Sequence, residues 1–555
     1  MSRHLARWAA IALTTACCAL ATGCGASQKS VARGSEKIGR CTILATNDSE
    51  ANFDGDKIKG GPGIQYLGPL ARVAAEKQRV SKRRKGVLLV SAGDVLQGRY
   101  MQRTDDDRSR AARESWQMYE RAGYDLAVLG NHEFDAGPKV VAHAIGGLKK
   151  LRLVVSNLSE GQGTSLHNPG EKLWADTVIR ECGGLKIGFF GLLTPHTRTI
   201  SDFGDTKFAH PSDPIYPSAR RAVAKLRKAG VDAVVALTHL GIGAEIRLAK
   251  KVDGIDVVIG GHSHTLLRHE KRVGDTLVAQ AGARFTHLGH VELHGKKGGG
   301  IDRDRMSWYV RKIDEQMAPD PTVKAAVDEL RKAYPPEVVI GQRLQSWHLR
   351  GAGRHVYGGL VAKAVFQWLK DRKIPVHATM LNAGGLRTAK TYPKGPVTNL
   401  EVEAIHPFRN RIVVAELDGK TMRHLAEHAC TKSHRGGGLR VMLHGLKLQC
   451  DSNKPAIRYK RSKGKQVGIS APGHRAKTVL LDDKPITDDG TYYIATNNYM
   501  ARGGSGYYPF TLAKRRCTDG SDFTTNACKS SPTLADIVKD AVKRGTFEAA
   551  AAPHK

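Results

Sequence analysis

Leu126-Ala127-Val128-Leu129-Gly130-Asn131-His132-Glu133-Phe134-Asp135 runs from an unbroken apolar stretch into a cluster of metal-capable and acid–base side chains. A short apolar run without alternation reads as a strand covered on both faces. Thr42–Ala45, Val87–Val90, Leu153–Val155, Ile187–Phe190, Ala233–Leu237 and Val257–Ile259 are runs of the same kind. Between them, Tyr66–Lys82, Arg113–Ala122 and Pro217–Ala229 have helical spacing, so the first half of the chain is an α/β layered domain. Several runs end alike. Thr42–Ala45 leads to Asp48, Val87–Val90 to Asp94, Ala233–Leu237 to His239, and Val257–Ile259 to His262 and His264. Ligands of open α/β sheets collect at the carboxyl ends of strands, so these endings point to one assembled site.

Four blocks carry this pattern: Thr46-Asn47-Asp48-Ser49-Glu50, Ala92-Gly93-Asp94, Gly130-Asn131-His132-Glu133, and the pair Thr238-His239-Leu240-Gly241 with Gly260-Gly261-His262-Ser263-His264. In this order they resemble calcineurin-like metallophosphoesterases, and most closely the periplasmic 5′-nucleotidase/UDP-sugar hydrolase family. The resemblance implies a four-layer α/β/β/α metallophosphoesterase domain followed by a second α/β substrate-binding domain. It also implies two divalent cations (Mn²⁺, Zn²⁺ or Mg²⁺). A pair about 3.5–4 Å apart can both supply a hydroxide and neutralise phosphoryl charge. Asp94 would bridge them. One ion would take Asp48, Glu50, Asp94 and His264, and the other Asp94, Asn131, His239 and His262. His132 would face the scissile phosphate and Asp135 would orient it. Glu50 departs from the family, which has His there; a carboxylate would make that site harder and favour Mn²⁺ or Mg²⁺ over Zn²⁺.

The C-terminal half carries Asn382-Ala383-Gly384-Gly385-Leu386-Arg387, His406-Pro407-Phe408-Arg409-Asn410, and Asn498-Tyr499 followed by Gly503-Gly504-Ser505-Gly506-Tyr507. These resemble the family's substrate-binding blocks. By that resemblance Phe408 and Tyr499 would sandwich a nucleobase, with stacking worth roughly 1–3 kcal/mol. Arg387, with Arg350 or Arg354, would meet phosphate, since a guanidinium fork suits it better than an ammonium. Asn382 and Asn410 would hydrogen-bond the ligand. Ser505 stands where the family has a ribose-binding Asp, which puts ribose recognition in doubt. Gly359 and Lys363 depart in the same way.

The resulting division is a signal peptide over 1–23, a tether over 24–39, a catalytic domain over 40–315, a linker helix over 316–340, a substrate domain over 341–545 and a tail over 546–555. The family's second domain rotates to deliver substrate, which would place a hinge near 319–345. Arg3 and Arg7, the apolar Trp8–Leu20 and the small residues ending at Cys24 resemble a bacterial lipoprotein signal, with Cys24 lipidated; plain secretion is the alternative. The export reading places the protein at the cell envelope, held to membrane only by that lipid. Beyond Cys17, Cys18 and Cys24, six cysteines remain, an even number that suggests disulfides in an exported chain. The short spans favour Cys430–Cys450 and Cys517–Cys528, leaving Cys41 with Cys182.

The net charge of +34 suits anionic partners. The basic residues read as a solvated surface rather than one patch, and no nucleic-acid-binding signature is present, so no specific nucleic-acid partner is expected. The leading reading is an exported 5′-nucleotidase or nucleotide-sugar hydrolase. The same architecture also serves 2′,3′-cyclic nucleotide phosphodiesterase/3′-nucleotidase and sulfur-ester hydrolase chemistry. A catalytically degenerate nucleotide-binding lipoprotein is the alternative of another class. The sequence leaves the oligomeric state open.

Overall fold

Strands covered on both faces need two flanking layers, and the first domain supplies them. A computed structural model describes residues 38–58, 65–67, 69–97, 101, 108–159, 164–167, 170, 172–334, 336–387, 391–431, 440–462, 465–523, 528 and 530–548. The signal peptide, Cys24 and nearly all of the expected tether lie outside the described residues, as does the tail beyond residue 548. Among the described residues no helix is long and apolar enough to cross a membrane.

The first domain holds two six-stranded sheets. One runs, in spatial order, Ser307–Lys312, His287–His294, Arg40–Thr46, Val87–Ser91, Leu126–Ala127 and Arg152–Leu153; the other Lys271–Val273, Thr276–Ala279, Val257–Ile259, Ala233–His239, Leu185–Leu193 and Thr177–Cys182. The central strands of each are parallel; the antiparallel strands lie at one end of the first sheet and at both edges of the second, while Arg152–Leu153 closes the first sheet in parallel. Alternation along the second sheet separates its faces. Phe189, Val235, Leu237 and Ile259 enter the core shared with Ile43, Leu89 and Val291 of the first sheet. Phe190, Val234, Ala236 and Val258 pack instead on Ala219, Val223 and Leu248 of the helices Tyr216–Lys228 and Ile242–Lys251. The helices Leu70–Arg83 and Arg108–Arg121 cover the first sheet through Leu70, Val73, Ala112 and Trp116. The four-layer α/β/β/α architecture is therefore present.

Proline-bounded residues around Thr322–Ala333 form the helix Pro321–Lys332, capped by Asp320. Val323, Val327 and Leu330 join the first domain's core, and Arg331 pairs with Asp54 at 2.7 Å. This helix is part of the catalytic body rather than a free connector.

The second domain is built on a five-stranded sheet in the order Val441–His444, Ala378–Asn382, Thr491–Asn497, Ile412–Asp418 and Lys514–Cys517. One face packs on the helices Gly351–Asp371 and Leu534–Lys543 through Val361, Val365 and Val538; the other packs on Gly419–Thr431 through Met422 and Leu425.

All three expected disulfides form: Cys41–Cys182, Cys430–Cys450 and Cys517–Cys528. Cys41–Cys182 closes 141 residues and links strands of different sheets. Replacing this pair with Ala is expected to lower unfolding free energy by about 2–5 kcal/mol, measured in denaturant titrations against the wild type.

Candidate metal centre and substrate face

Five of the candidate ligating positions sit in the left-handed region of backbone space. Asp48, Glu50, Asp94, His262 and His264 have φ of 48, 52, 54, 75 and 53°. For residues with a Cβ this conformation costs of order 1–3 kcal/mol each, and such strain gathers where function needs a side chain turned sharply off a strand end. Crowding adds a second constraint. A Cβ on Gly130 would lie 2.2 Å from Asp94 Oδ1, and one on Gly261 would lie 2.7 Å from Ala92 O. Only glycine lets these loops close around the carboxylates.

Asp94 is buried at the centre. Its Oδ1 accepts the backbone N–H of His132 at 2.9 Å, and its Oδ2 lies 3.0 Å from His239 Nε2. His239 donates Nδ1–H to Ala92 O at 2.7 Å, which fixes the tautomer and turns Nε2 toward Asp94. Ligand atoms of Asp94, His239 and His262 all lie within 4.8 Å of one another. Asp48 accepts the backbone N–H of His262 at 3.0 Å and lies 3.3 Å from His264 Nε2. Among the described residues, buried Asn131 Oδ1 accepts no hydrogen bond. The carboxylates set the electrostatics of the histidines. Burial alone would lower the His239 pKa, yet Asp94 and Asp48 outweigh it and hold it up at about 10. Burial and the neighbouring His239 instead press His262 down to about 4. Buried carboxylates, imidazole nitrogens turned toward them and an amide oxygen are the donor set of a divalent cation.

Glu133 was legible only as part of a motif; the structure gives it a task. Its carboxylate accepts backbone N–H groups from Asp94, Val95, Leu96 and Gly130. It thereby ties the Asp94 loop to the Asn131 loop. Glu133→Gln puts an amide NH₂ against those donors. It is expected to weaken divalent-metal affinity about 10–100-fold in calorimetric titration, with the fold retained. Glu245 does similar work opposite, accepting from Thr238, Gly241, Gly261 and Gln280.

His132 Nδ1 lies 2.7 Å from Asp135 Oδ2, the pairing expected from the sequence. Burial would depress its pKa, but Asp135 and Asp94 outweigh burial and raise it to about 9. Its Nε2 lies 2.9 Å from Arg387 Nη2, and its ring centroid 5.8 Å from that of Phe408. The second domain therefore meets the first at this histidine. Tyr499 makes the same crossing, donating its hydroxyl to Thr199 O at 3.2 Å. Ser505 donates its backbone N–H to Tyr499 Oη at 2.9 Å.

Other expected positions differ in their surroundings. Arg354 donates to Ala383 O and Leu386 O, so it shapes the loop bearing Arg387. Arg350 is an exposed residue at the start of the helix Gly351–Asp371. Asn382 is buried and its Oδ1 accepts from Asn497 Nδ2 at 2.8 Å. Asn410 is half-buried, and its carbonyl accepts the N–H of Leu534.

Glu50 has partners that the sequence did not reveal. Its Oε1 accepts from Arg387 and its Oε2 from Arg284, both at 3.1 Å, while His264 Nε2 is 3.9 Å away. Burial would raise its pKa, yet the two guanidinium groups outweigh burial and hold it at about 2. In this arrangement the two guanidinium groups balance the Glu50 charge. Arg284 follows the four-residue strand Thr276–Ala279, too short a run to mark what comes after it.

Paired buried carboxylates and imidazoles at strand ends, beside a histidine–aspartate couple and an arginine, define a metal-dependent phosphoester hydrolase. Residues 42–266 match the calcineurin-like phosphoesterase family and residues 341–514 the 5′-nucleotidase C-terminal domain; the chain belongs to the calcineurin-like phosphoesterases that carry that second domain. It is 27% identical to the trifunctional nucleotide phosphoesterase protein YfkN of Bacillus subtilis over 85% of its own length, spanning 32% of that longer protein. It is 26% identical to a 5′-nucleotidase of Diplobatis ommata, covering 86% of this chain and 85% of that one. The crystal structure of a 5′-nucleotidase precursor from Thermus thermophilus superposes with a TM-score of 0.73 at 26% identity, covering 91% and 97% of the two chains.

Proposed function

We propose that this enzyme removes the 5′-phosphate of nucleotides with two divalent cations at the strand ends. Asp48, Asp94 and His264 would hold one, and Asp94, Asn131, His239 and His262 the other, leaving Glu50 to its arginines. The bound ions would supply a nucleophilic oxygen at neutral pH and neutralise phosphoryl charge. The chain's own residues do the rest. Arg387 binds a phosphoryl oxygen, His132 delivers its Nε2 proton to the leaving 5′-oxygen, and Asp135 keeps the imidazole aimed. Phe408 and Tyr499 present aromatic surface to the base. The observation that carries this reading is the placement of His132 between Asp135 and Arg387; Nε2 accepts from Arg387 in this arrangement, and it is free to carry the proton once Arg387 turns to a phosphoryl oxygen. Packing of the helix Pro321–Lys332 on the first domain supports a pivot beyond Lys332 for any domain rotation.

The test is phosphate release from AMP, UMP, UDP-glucose, 3′-AMP and 2′,3′-cyclic AMP, with Mn²⁺, Zn²⁺ or Mg²⁺ added singly to metal-stripped protein. Turnover of AMP or UMP above the others supports the proposal. Preference for the cyclic or 3′-nucleotides reassigns the substrate, and no turnover with any ion leaves a binding protein. We propose further that the chain is exported and lipid-anchored at Cys24. Three disulfides support an oxidising compartment. Cys24→Ser is expected to move the protein from the membrane to the soluble fraction on ultracentrifugation; continued sedimentation with membranes would refute the anchor.

A further inference from the structure

The charge is not spread as evenly as the whole sequence suggests. Between Glu427 and Asp482 there are twelve Lys and Arg and a single acid, Asp451. Part of this segment is an antiparallel ribbon, Arg458–Ser462 with Lys465–Ala471, whose strands pair only with each other among the described residues. Arg458, Lys460 and Arg461 are exposed, as are Lys454 and Lys477, which flank the ribbon in the chain. Among the described residues none of these five has a carboxylate partner.

The ribbon adjoins the substrate face. His428 Nε2 donates to Ser505 O at 3.2 Å, so its Nδ1 accepts the Tyr459 hydroxyl at 3.0 Å. Gly506 lies against His428 and Gln466, and the Tyr459 ring meets that of Tyr508 at 5.9 Å. The ribbon that carries these exposed cations therefore reaches the loop bearing Ser505 through Tyr459, Gln466 and His428.

We propose that this ribbon binds the backbone of a single-stranded oligonucleotide whose 5′-terminal nucleotide enters the active site, making 5′-phosphorylated oligonucleotides a further substrate class. The inference rests on the 5′-nucleotidase reading. Water attacks the terminal phosphorus, the bond from phosphorus to the 5′-oxygen breaks, and that oxygen takes its proton from His132. The products are inorganic phosphate and a 5′-hydroxyl oligonucleotide. Successive phosphates beyond the first meet the cations, and the tyrosines offer stacking surface. An anionic membrane fits less well. Val467 is the one large apolar side chain the ribbon exposes among the described residues, and the ribbon has no Trp or Phe to seat it in lipid.

The experiment uses the mature chain, a 3′-fluorescein, 5′-phosphorylated oligothymidylate, and a variant combining Arg458→Gln, Lys460→Gln, Arg461→Gln and Lys477→Gln. Fluorescence anisotropy is expected to show at least a tenfold loss of affinity in the variant. The slope of log affinity against log salt should become shallower by about three, at roughly 0.7 per phosphate contact. KM for oligonucleotide dephosphorylation should rise with kcat kept, and AMP hydrolysis should be unchanged. Wild-type affinity in the variant, no oligonucleotide binding by wild type at low salt, or ribbon-dependent binding to phosphatidylglycerol vesicles in its place would each overturn the proposal. Ribbon-dependent oligonucleotide binding by a wild type that leaves AMP intact would keep the ligand and sink the nucleotidase reading instead.

Discussion

His132→Ala is expected to lower kcat by about 10²–10⁴-fold while the divalent-metal content of the purified protein stays at the wild-type value. The side chain is buried but spends neither ring nitrogen on the fold's backbone. Nδ1 faces Asp135 and Nε2 faces Arg387. Its loss removes a proton donor while Asp94, His239 and His262 keep their arrangement. Elemental analysis alongside steady-state kinetics separates the two effects; a matching fall in bound metal would make His132 a structural support of the centre. The pH profile gives a second readout. Burial lowers the His132 pKa, but Asp135 and Asp94 raise it to about 9, so the acid form is present below that value and lost as pH climbs through it. Asp135→Asn removes part of the upward pull. The alkaline limb of kcat should therefore shift to lower pH, whereas an unmoved limb would assign it to another group.

The legibility of this chain follows the range of the interactions. The Asp94, Asn131, His239, His262 and His264 positions could be read as polar strand endings because each closes or follows a buried strand, in two sheets that share one core. The same non-alternating runs marked an α/β layered domain, and the resemblance of the motifs implied its four layers. Glu133 was visible only as a letter within its motif, because the N–H groups it gathers belong to a loop more than thirty residues away. Arg284 left no trace, since its partner Glu50 is 234 residues distant in sequence. Arg354 reads as a phosphate ligand by residue type, and the fold spends it on two carbonyls. The Pro321–Lys332 helix reads as a connector because prolines flank it, yet its apolar stripe commits it to the first domain. Local patterns expose which side chains leave a strand end; they do not show which distant charge each will meet.

Glu50 is where that difference has the largest consequence. Arg387 comes from the second domain and reaches both Glu50 and His132 in the first, and its guanidinium lies 5.5 Å from the Phe408 ring centroid. Arg387→Ala is expected to cost about 2–5 kcal/mol of kcat/KM, roughly 30-fold to several-thousand-fold, because it removes the phosphate fork and strips a buried carboxylate of one of its two cations. Arg387→Lys should recover little. A single ammonium cannot hold Glu50 and a phosphoryl oxygen in the divergent directions that a planar guanidinium offers. Glu50→Gln separates the remaining possibilities. If Glu50 serves to aim Arg387, the amide still accepts one N–H. The variant then loses about tenfold or less in kcat/KM, chiefly through KM, with metal stoichiometry intact. If it ligates an ion, bound metal falls and added Mn²⁺ restores turnover. The geometry favours the first outcome, since both carboxylate oxygens already lie 3.1 Å from arginine nitrogens while the candidate co-ligand His264 stands at 3.9 Å.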